Sequence, residues 1–275
     1  MTISSKLRNG LIAAAILAGA ILAGGCGESE NEGGDQAAVT GSEGRIVAAL
    51  TSRPLRIVAQ PDATASHTAP RLLASSLDTV RNAFELAMAQ GGSFDAELVG
   101  GDLTPIDLIA PVEVPDPGGG RDEIERADVA ETARSQLAAA GEALAENPSV
   151  ADLEPGSAIA DNLRRALERL AATSDPDSQG VVVVASDGAD DVVKDHLDEA
   201  PTALAERLGS RLGSGIGKGA VVLIAGVGMG ANGTPGAAAF RLRRAWEIAC
   251  AKTGALCSVS IEAEQPLLLE AIDRA

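Results

Sequence analysis

The run Val181-Val182-Val183-Val184-Ala185 is the feature that most constrains the fold of this 275-residue chain. A continuous apolar run of this kind is typical of a central parallel strand, covered on both faces. Similar strand-like segments occur at Leu55–Ala59, Phe94–Val99, Ala220–Ala225 and Leu256–Ile261. Helix-like segments alternate with them. The alternation predicts an α/β fold: a Rossmann-like, doubly wound, mostly parallel sheet with helices on both faces.

One further strand is predicted at the edge of this sheet. It lies within Pro105–Val114, where Pro105 and Pro111 cannot donate ladder hydrogen bonds. Apolar residues at helical spacing predict the helices between the strands. These helices span 73–88, 121–146, 159–170, 192–212, 242–250 and 267–274.

The composition argues against nucleic-acid binding. The chain has 22 basic and 39 acidic residues, a formal net charge of −17, which disfavours contact with phosphate backbones. It has three Phe, one Trp and no Tyr, so base stacking on aromatic side chains is almost excluded as well.

The amino terminus has the features of an export signal. Lys6 and Arg8 precede an apolar run, Leu11–Ala23, which is short for a membrane span and ends in Gly24-Gly25-Cys26. This segment resembles a bacterial lipoprotein signal, although Leu22 lies one place further from Cys26 than that family prefers. The resemblance implies that residues 1–25 are removed and that lipid on Cys26 anchors the protein to the cell membrane, outside the cytoplasm. An ordinary cleaved signal or a short membrane anchor is the alternative.

The segment after the signal is acidic and low in hydrophobicity, particularly from Gly27 to Asp35. Such composition favours disorder, and we predict a flexible tether over 26–52 and a single folded domain over 53–275. If Cys26 carries lipid, Cys250 and Cys257 remain. Outside the cytoplasm this pair can form a disulfide, the alternative being two buried thiols.

Three polar segments occur near predicted strand or helix ends: Asp62-Ala63-Thr64-Ala65-Ser66, Gly156-Ser157-Ala158-Ile159 and Ser186-Asp187-Gly188. Together they resemble the von Willebrand factor type A domain and its metal-ion-dependent adhesion site, over roughly Pro54–Ile272. The family has Asp-x-Ser-x-Ser, a loop Thr and a strand-end Asp. The resemblance implies a metal site formed by Asp62, Thr64, Ser66, Ser157 and Asp187. Thr64 and Ser157 differ from the family pattern but keep a hydroxyl.

The residue chemistry supports the same site. Alternate side chains of an extended segment point the same way, so Asp62, Thr64 and Ser66 can converge. Asp62 and Asp187 follow two strand ends, where ligands of parallel sheets bind. Carboxylates and hydroxyls suit Mg²⁺, with Mn²⁺ or Ca²⁺ as alternatives. A carboxylate of a protein or another acidic ligand would fill an open coordination position, and we predict binding rather than enzyme activity.

Two other functions remain open. The same fold without metal would be a scaffold or interaction module, since Asp, Ser and Thr also cap helices. A nucleotide-linked or hydrolytic enzyme is the second alternative. The glycine-rich stretch Gly228–Gly233 follows a strand and formally fits a dinucleotide fingerprint, but no acidic residue follows at a second strand end.

Overall fold

The computed structural model describes residues 33–64, 70–100, 106–118, 121–146, 157–173, 175–230 and 236–275. The helices are α1 (Gly33–Thr51), α2 (Pro70–Gln90), α3 (Arg121–Glu146), α4 (Ile159–Ala172), α5 (Pro201–Leu212), α6 (Gly236–Lys252) and α7 (Pro266–Arg274). The strands are β1 (Leu55–Pro61), β2 (Gly92–Leu98), β3 (Ile106–Val114), β4 (Gln179–Ala185), β5 (Val221–Ala225) and β6 (Leu256–Val259).

The strands form one six-stranded sheet in the order β3-β2-β1-β4-β5-β6. Every neighbouring pair is parallel except β2 and β3, so the sheet is mostly parallel with one antiparallel edge strand. The predicted α/β class and the edge position of β3 are thereby confirmed. The architecture is compatible with a Rossmann-like fold.

Helices cover both faces of the sheet, and the valine run of β4 contributes to both cores. Val181 and Val183 belong to one apolar core, together with α1, α2, α3 and α7. Val182 and Val184 belong to the other core, together with α4, α5 and α6. Successive strand side chains point to opposite faces, which explains why a strand buried on both sides is apolar throughout.

The order of the strands reverses between β1 and β4. From β1 the chain proceeds through α2 to β2 on one side, and from β4 it proceeds through α5 to β5 on the other. The two strands pair along their length up to Pro61 and Ala185. Open α/β sheets bind ligands in the crevice beyond such a reversal, so Asp62 and Ser186 lie beside that crevice.

The helix predicted over 192–212 is shorter in the structure. Residues 191–199 form turns, and α5 starts at Pro201 with Ala200 in an extended conformation. Proline suits the first helical position, and it disfavours a helical conformation in the residue before it. The prediction of a helix start at Val192 was therefore wrong.

The folded part begins earlier than predicted. Helix α1 covers Gly33–Thr51, and Ile46, Val47 and Leu50 are buried in the core shared with α7. The boundary of the flexible tether at residue 52 is therefore wrong, because the spacing of these apolar residues buries one side of a helix. The predicted signal, residues 1–25, and the lipidation site Cys26 lie outside the described residues.

The predicted cysteine pair is bonded. Cys250 at the end of α6 and Cys257 in β6 form a disulfide with Cα atoms 6.2 Å apart. The bond joins the last strand to the helix before it. No helix in the described ranges is long and apolar enough to cross a membrane.

Candidate functional site

Asp62 is fully buried at the carboxyl end of β1 and accepts three hydrogen bonds from described residues. Its Oδ1 accepts from the Thr64 amide at 2.8 Å and from the Thr64 hydroxyl at 2.6 Å. Its Oδ2 accepts from the Ser186 hydroxyl at 2.6 Å. Asp62 forms no ion pair with the described residues. Hydrogen bonds thus hold a buried carboxylate that pairs with no cationic side chain of the described residues.

Hydrogen bonding to Asp62 fixes the direction of two hydroxyl groups. Thr64 and Ser186 each donate a hydrogen bond to the carboxylate, so each hydroxyl oxygen presents its lone pairs away from Asp62. One lone pair of Ser186 Oγ accepts from the Gly188 amide at 3.1 Å. Ser186 is absent from the predicted ligand set. Ser186 follows Ala185, the partner of Pro61 in the register of β1 and β4, and this pairing is a tertiary feature that the sequence alone does not show.

Ser157 provides a further buried hydroxyl. The residue is 5% exposed, and its Oγ has no hydrogen-bond partner within the described part of the chain. Its carbonyl accepts from the Asp191 amide at 2.9 Å, which attaches this segment to the loop after β4. A buried polar atom without a partner costs free energy, so a ligand at this position would stabilise the protein.

Asp190 joins the same two segments. Its Oδ2 accepts from the Ala160 amide at 2.8 Å, in the first turn of α4, and its Oδ1 accepts from the Val192 amide at 3.0 Å. Burial raises the pKa of Asp190 to about 6, although both backbone hydrogen bonds lower it. Asp190 was not predicted, because its contact with α4 crosses 30 positions of sequence.

Asp187 is 3% exposed and lies in a loop held from several sides. Its Oδ1 accepts from the Ala189 amide at 2.9 Å, and its carbonyl accepts from the Gly228 amide at 2.7 Å. The indole of Trp246 donates to the Gly188 carbonyl at 2.9 Å. A Cβ at position 230 would lie 2.6 Å from Asp187 Oδ2, so any residue other than glycine there would displace this carboxylate.

The structure brings the three predicted segments to one edge of the sheet. Asp62 and Thr64 bond to each other and to Ser186, which adjoins Asp187 in the chain. Ser157 is attached to the same loop through Asp191. Ser66, the remaining predicted ligand, lies outside the described residues. Buried carboxylates and hydroxyls at this edge are hard oxygen donors, the kind that bind Mg²⁺ or Ca²⁺.

A metal at this edge would need hydroxyl ligands as well as carboxylates. The described residues contain no group of three or more His, Cys, Asp or Glu side chains that could hold a metal ion. The candidate donor set has only two carboxylates, those of Asp62 and Asp187. Two carboxylates balance the charge of a divalent cation without an excess of negative charge, so an open coordination position on the ion can still accept an anionic oxygen of a partner.

The glycine-rich loop after β5 is engaged in internal hydrogen bonds. The amides of Gly226, Val227, Gly228 and Met229 donate to the carbonyls of Glu262, Ser260, Asp187 and Gly226 respectively. A phosphate-binding loop needs backbone amides that face the ligand. The described part of this loop, up to Gly230, therefore gives little support to nucleotide binding.

Comparison of the sequence with protein-family models and with curated proteins finds no match.

Proposed function

We propose that this chain is a membrane-anchored envelope lipoprotein whose folded domain is of the von Willebrand factor type A kind. The domain binds a protein or another acidic ligand through a divalent cation, Mg²⁺ or alternatively Mn²⁺ or Ca²⁺. The cation is held at the carboxyl edge of the sheet by Asp62, Thr64, Ser66, Ser157 and Asp187, with Ser186 as an addition. The ligand contributes a carboxylate to the ion.

The hydrogen bonding of Asp62 is the observation that carries the proposal. One buried carboxylate orients two hydroxyl groups, from Thr64 and Ser186, and has no cationic side chain beside it in the described residues. An isolated buried carboxylate is costly, and a cation bound near it would offset that cost. The Ser157 hydroxyl, which has no hydrogen-bond partner in the part of the chain that the structure describes, adds a second reason for a ligand at this edge.

Thermal unfolding in a metal titration tests the cation site. Because a ligand that binds only the folded state stabilises it, Mg²⁺ or Mn²⁺ should raise the melting temperature with the logarithm of its concentration. Asp62→Asn and Asp187→Asn should abolish this response. Asp191→Asn is the matched control, because Asp191 is exposed and lies in the same loop.

Two results would contradict the cation site and favour a scaffold or interaction module that binds no metal. The first is a melting temperature that Mg²⁺, Mn²⁺ and Ca²⁺ all leave unchanged. The second is an Asp62→Asn protein that responds to metal like the unmodified protein.

Ligand binding is tested with an acidic peptide. The protein has an excess of acidic residues, so a poly-glutamate peptide should be repelled without a cation and captured with one. Capture should disappear in a chelator and in Asp187→Asn. Binding that is equal with and without the chelator would contradict a metal-mediated contact.

The anchor is tested separately, at Cys26. The wild-type protein should partition into detergent and carry acyl mass on Cys26, because acyl chains supply the membrane affinity. Cys26→Ser should remain unprocessed and lose that mass. A Cys26→Ser protein that is processed and anchored like the wild type would contradict the lipoprotein assignment without affecting the metal site.

A further inference from the structure

A cavity of about 190 Å³ lies at the amino edge of the sheet, opposite the candidate metal site. It is formed where β1, β4 and β5 begin and where α4 ends. Its lining includes Arg53 just before β1, Arg56 in the second position of β1 and Lys218 from the turn before β5. This volume is below the range of about 300–1,000 Å³ of drug-sized sites, so a ligand here must be small.

The cavity is positively charged in a protein that is acidic as a whole. Three cationic side chains line it, against one carboxylate, that of Asp175. None of Arg53, Arg56 and Lys218 forms an ion pair with the residues that the structure describes. In a chain with 39 acidic and 22 basic residues, three adjacent cations without an acidic partner indicate a site for an external anion.

The two arginines are held in place by neutral groups. Arg53 donates to the Pro176 carbonyl at 2.9 Å and to Gln179 Oε1 at 2.7 Å. Arg56 donates to the carbonyls of Leu170 and Thr173. These bonds occupy only part of the five N–H groups of each guanidinium and neutralise neither charge. Fixed guanidinium groups with donors to spare suit the planar oxygen pairs of a phosphate or carboxylate.

The net charge of the lining favours phosphate over carboxylate. The apolar residues of the lining indicate what kind of organic group accompanies the phosphate. Three positive charges against one negative charge match a doubly charged phosphate better than a singly charged carboxylate. Leu167, Leu170 and Ile216 add apolar surface beside the cations. We propose that this cavity binds the phosphate group of a small phosphomonoester or of a phospholipid headgroup, with the adjoining apolar atoms against these side chains. This site is independent of the cation site and of its proposed function.

Calorimetric titration of the full-length chain in metal-free buffer tests the proposal. The probes are inorganic phosphate, propyl phosphate and butyrate. Propyl phosphate should bind most tightly and butyrate most weakly. Lys218→Gln should weaken propyl phosphate binding about tenfold, because it removes a charge-assisted hydrogen bond. Lys218→Arg should restore most of the affinity.

Lys252→Gln is the matched control for the loss of a positive charge. Lys252 is an exposed lysine at the end of α6 and does not line the cavity. Its substitution should leave propyl phosphate binding unchanged within about twofold, since an exposed charge outside the lining is screened by salt.

Vesicles distinguish the two sources of the phosphate. Phosphatidylcholine vesicles are compared with and without phosphatidic acid. Binding that needs phosphatidic acid, is displaced by propyl phosphate and is lost in Lys218→Gln assigns the site to a lipid headgroup. Propyl phosphate binding without vesicle binding assigns it to a soluble phosphomonoester.

Three results would overturn the site. The first is the absence of binding by either phosphate probe. The second is equal propyl phosphate binding by wild type and Lys218→Gln. The third is an equal loss in Lys252→Gln, which would show a diffuse effect of charge.

Discussion

The two ends of helix α4 are held by side chains of opposite charge from other parts of the chain. At the N-terminus, Asp190 accepts from the Ala160 amide at 2.8 Å. Near the C-terminus, Arg56 donates to the Leu170 carbonyl at 3.5 Å. Helix dipoles favour negative groups at the first end and positive groups at the second. The same helix therefore connects an acidic edge of the sheet with a basic one.

The difference between the two ends lies in what surrounds the charges. At the carboxyl edge, Asp62 and Asp190 are buried and receive hydrogen bonds from hydroxyl or amide groups. At the amino edge, Arg53 and Lys218 are exposed beside a cavity. Buried charge constrains stability strongly, whereas exposed charge is screened by solvent. Substitutions that remove a buried charge or its partner should accordingly lower stability more than substitutions of exposed charges.

The largest expected effect is at Arg169, in the last turn of α4. It pairs with Asp95 at 2.9 Å and with the buried Glu97 at 3.2 Å. Arg169→Met should lower the free energy of unfolding by about 3 kcal/mol at pH 7, because two largely buried carboxylates lose their cation. Urea unfolding measures this loss. Arg211→Met, which removes a more exposed arginine, should cost less than about 1 kcal/mol.

The loss in Arg169→Met should also depend on pH. Burial raises the pKa of Asp95, and Arg169 opposes that rise. Without Arg169 the pKa rises further, so the folded state gains a proton more readily and the deficit shrinks as pH falls. A loss of unfolding free energy that is the same at pH 7 and pH 5 would contradict the assignment of Arg169 as the counter-charge of Asp95 and Glu97.

The next effect concerns Asp190 at the other end of α4. Its folded pKa of about 6 exceeds an ordinary carboxyl value, so the folded state binds a proton more tightly than the unfolded state. Its contribution to stability is present below about pH 4 and is lost as pH rises to about 6. The stability of wild type relative to Asp190→Asn should therefore fall by roughly 2–3 kcal/mol over this window.

Urea midpoints at several pH values check the Asp190 prediction. The exposed neighbour substitution, Asp191→Asn, should show little pH dependence relative to wild type. Parallel curves for wild type and Asp190→Asn between pH 4 and pH 7 would show that Asp190 has an ordinary pKa.

A smaller loss is expected at the C-terminus of α4. Arg56→Met removes the donors to the Leu170 and Thr173 carbonyls, and should lower the free energy of unfolding by about 1–2 kcal/mol. Arg244→Met is a suitable control because Arg244 is 62% exposed and pairs only at the surface. Equal stability of the two variants would mean that Arg56 does not cap the helix.

The central and edge strands can be predicted from the sequence, but the contacts that build the site cannot. The valine run of β4 indicates the central strand and Pro111 indicates the edge strand, because burial and a missing N–H donor are visible in the local sequence. The bonds of Ser186 to Asp62 and of Asp190 to Ala160 cross 124 and 30 positions. Such partners depend on tertiary structure, and no local pattern specifies them.

The smallest expected effect is at Ser157, whose hydroxyl has no partner in the described residues. Ser157→Thr keeps that hydroxyl and adds a methyl group that restricts its rotamer. Stability should change by less than about 1 kcal/mol, and metal affinity should hold or rise. Thermal shifts in Mg²⁺ compare it with Ser157→Ala, which should weaken affinity. Equal weakening in both variants would exclude Ser157 as a ligand.

Direct measurement of Mn²⁺ binding by electron paramagnetic resonance tests the central claim. The wild-type protein should bind a single Mn²⁺ at up to millimolar concentration, and Mg²⁺ should displace it. Asp62→Asn and Asp187→Asn should lose this binding, while Asp191→Asn keeps it. Wild type that leaves Mn²⁺ free in solution, or an Asp62→Asn protein that binds as well as wild type, would contradict a cation site at this edge.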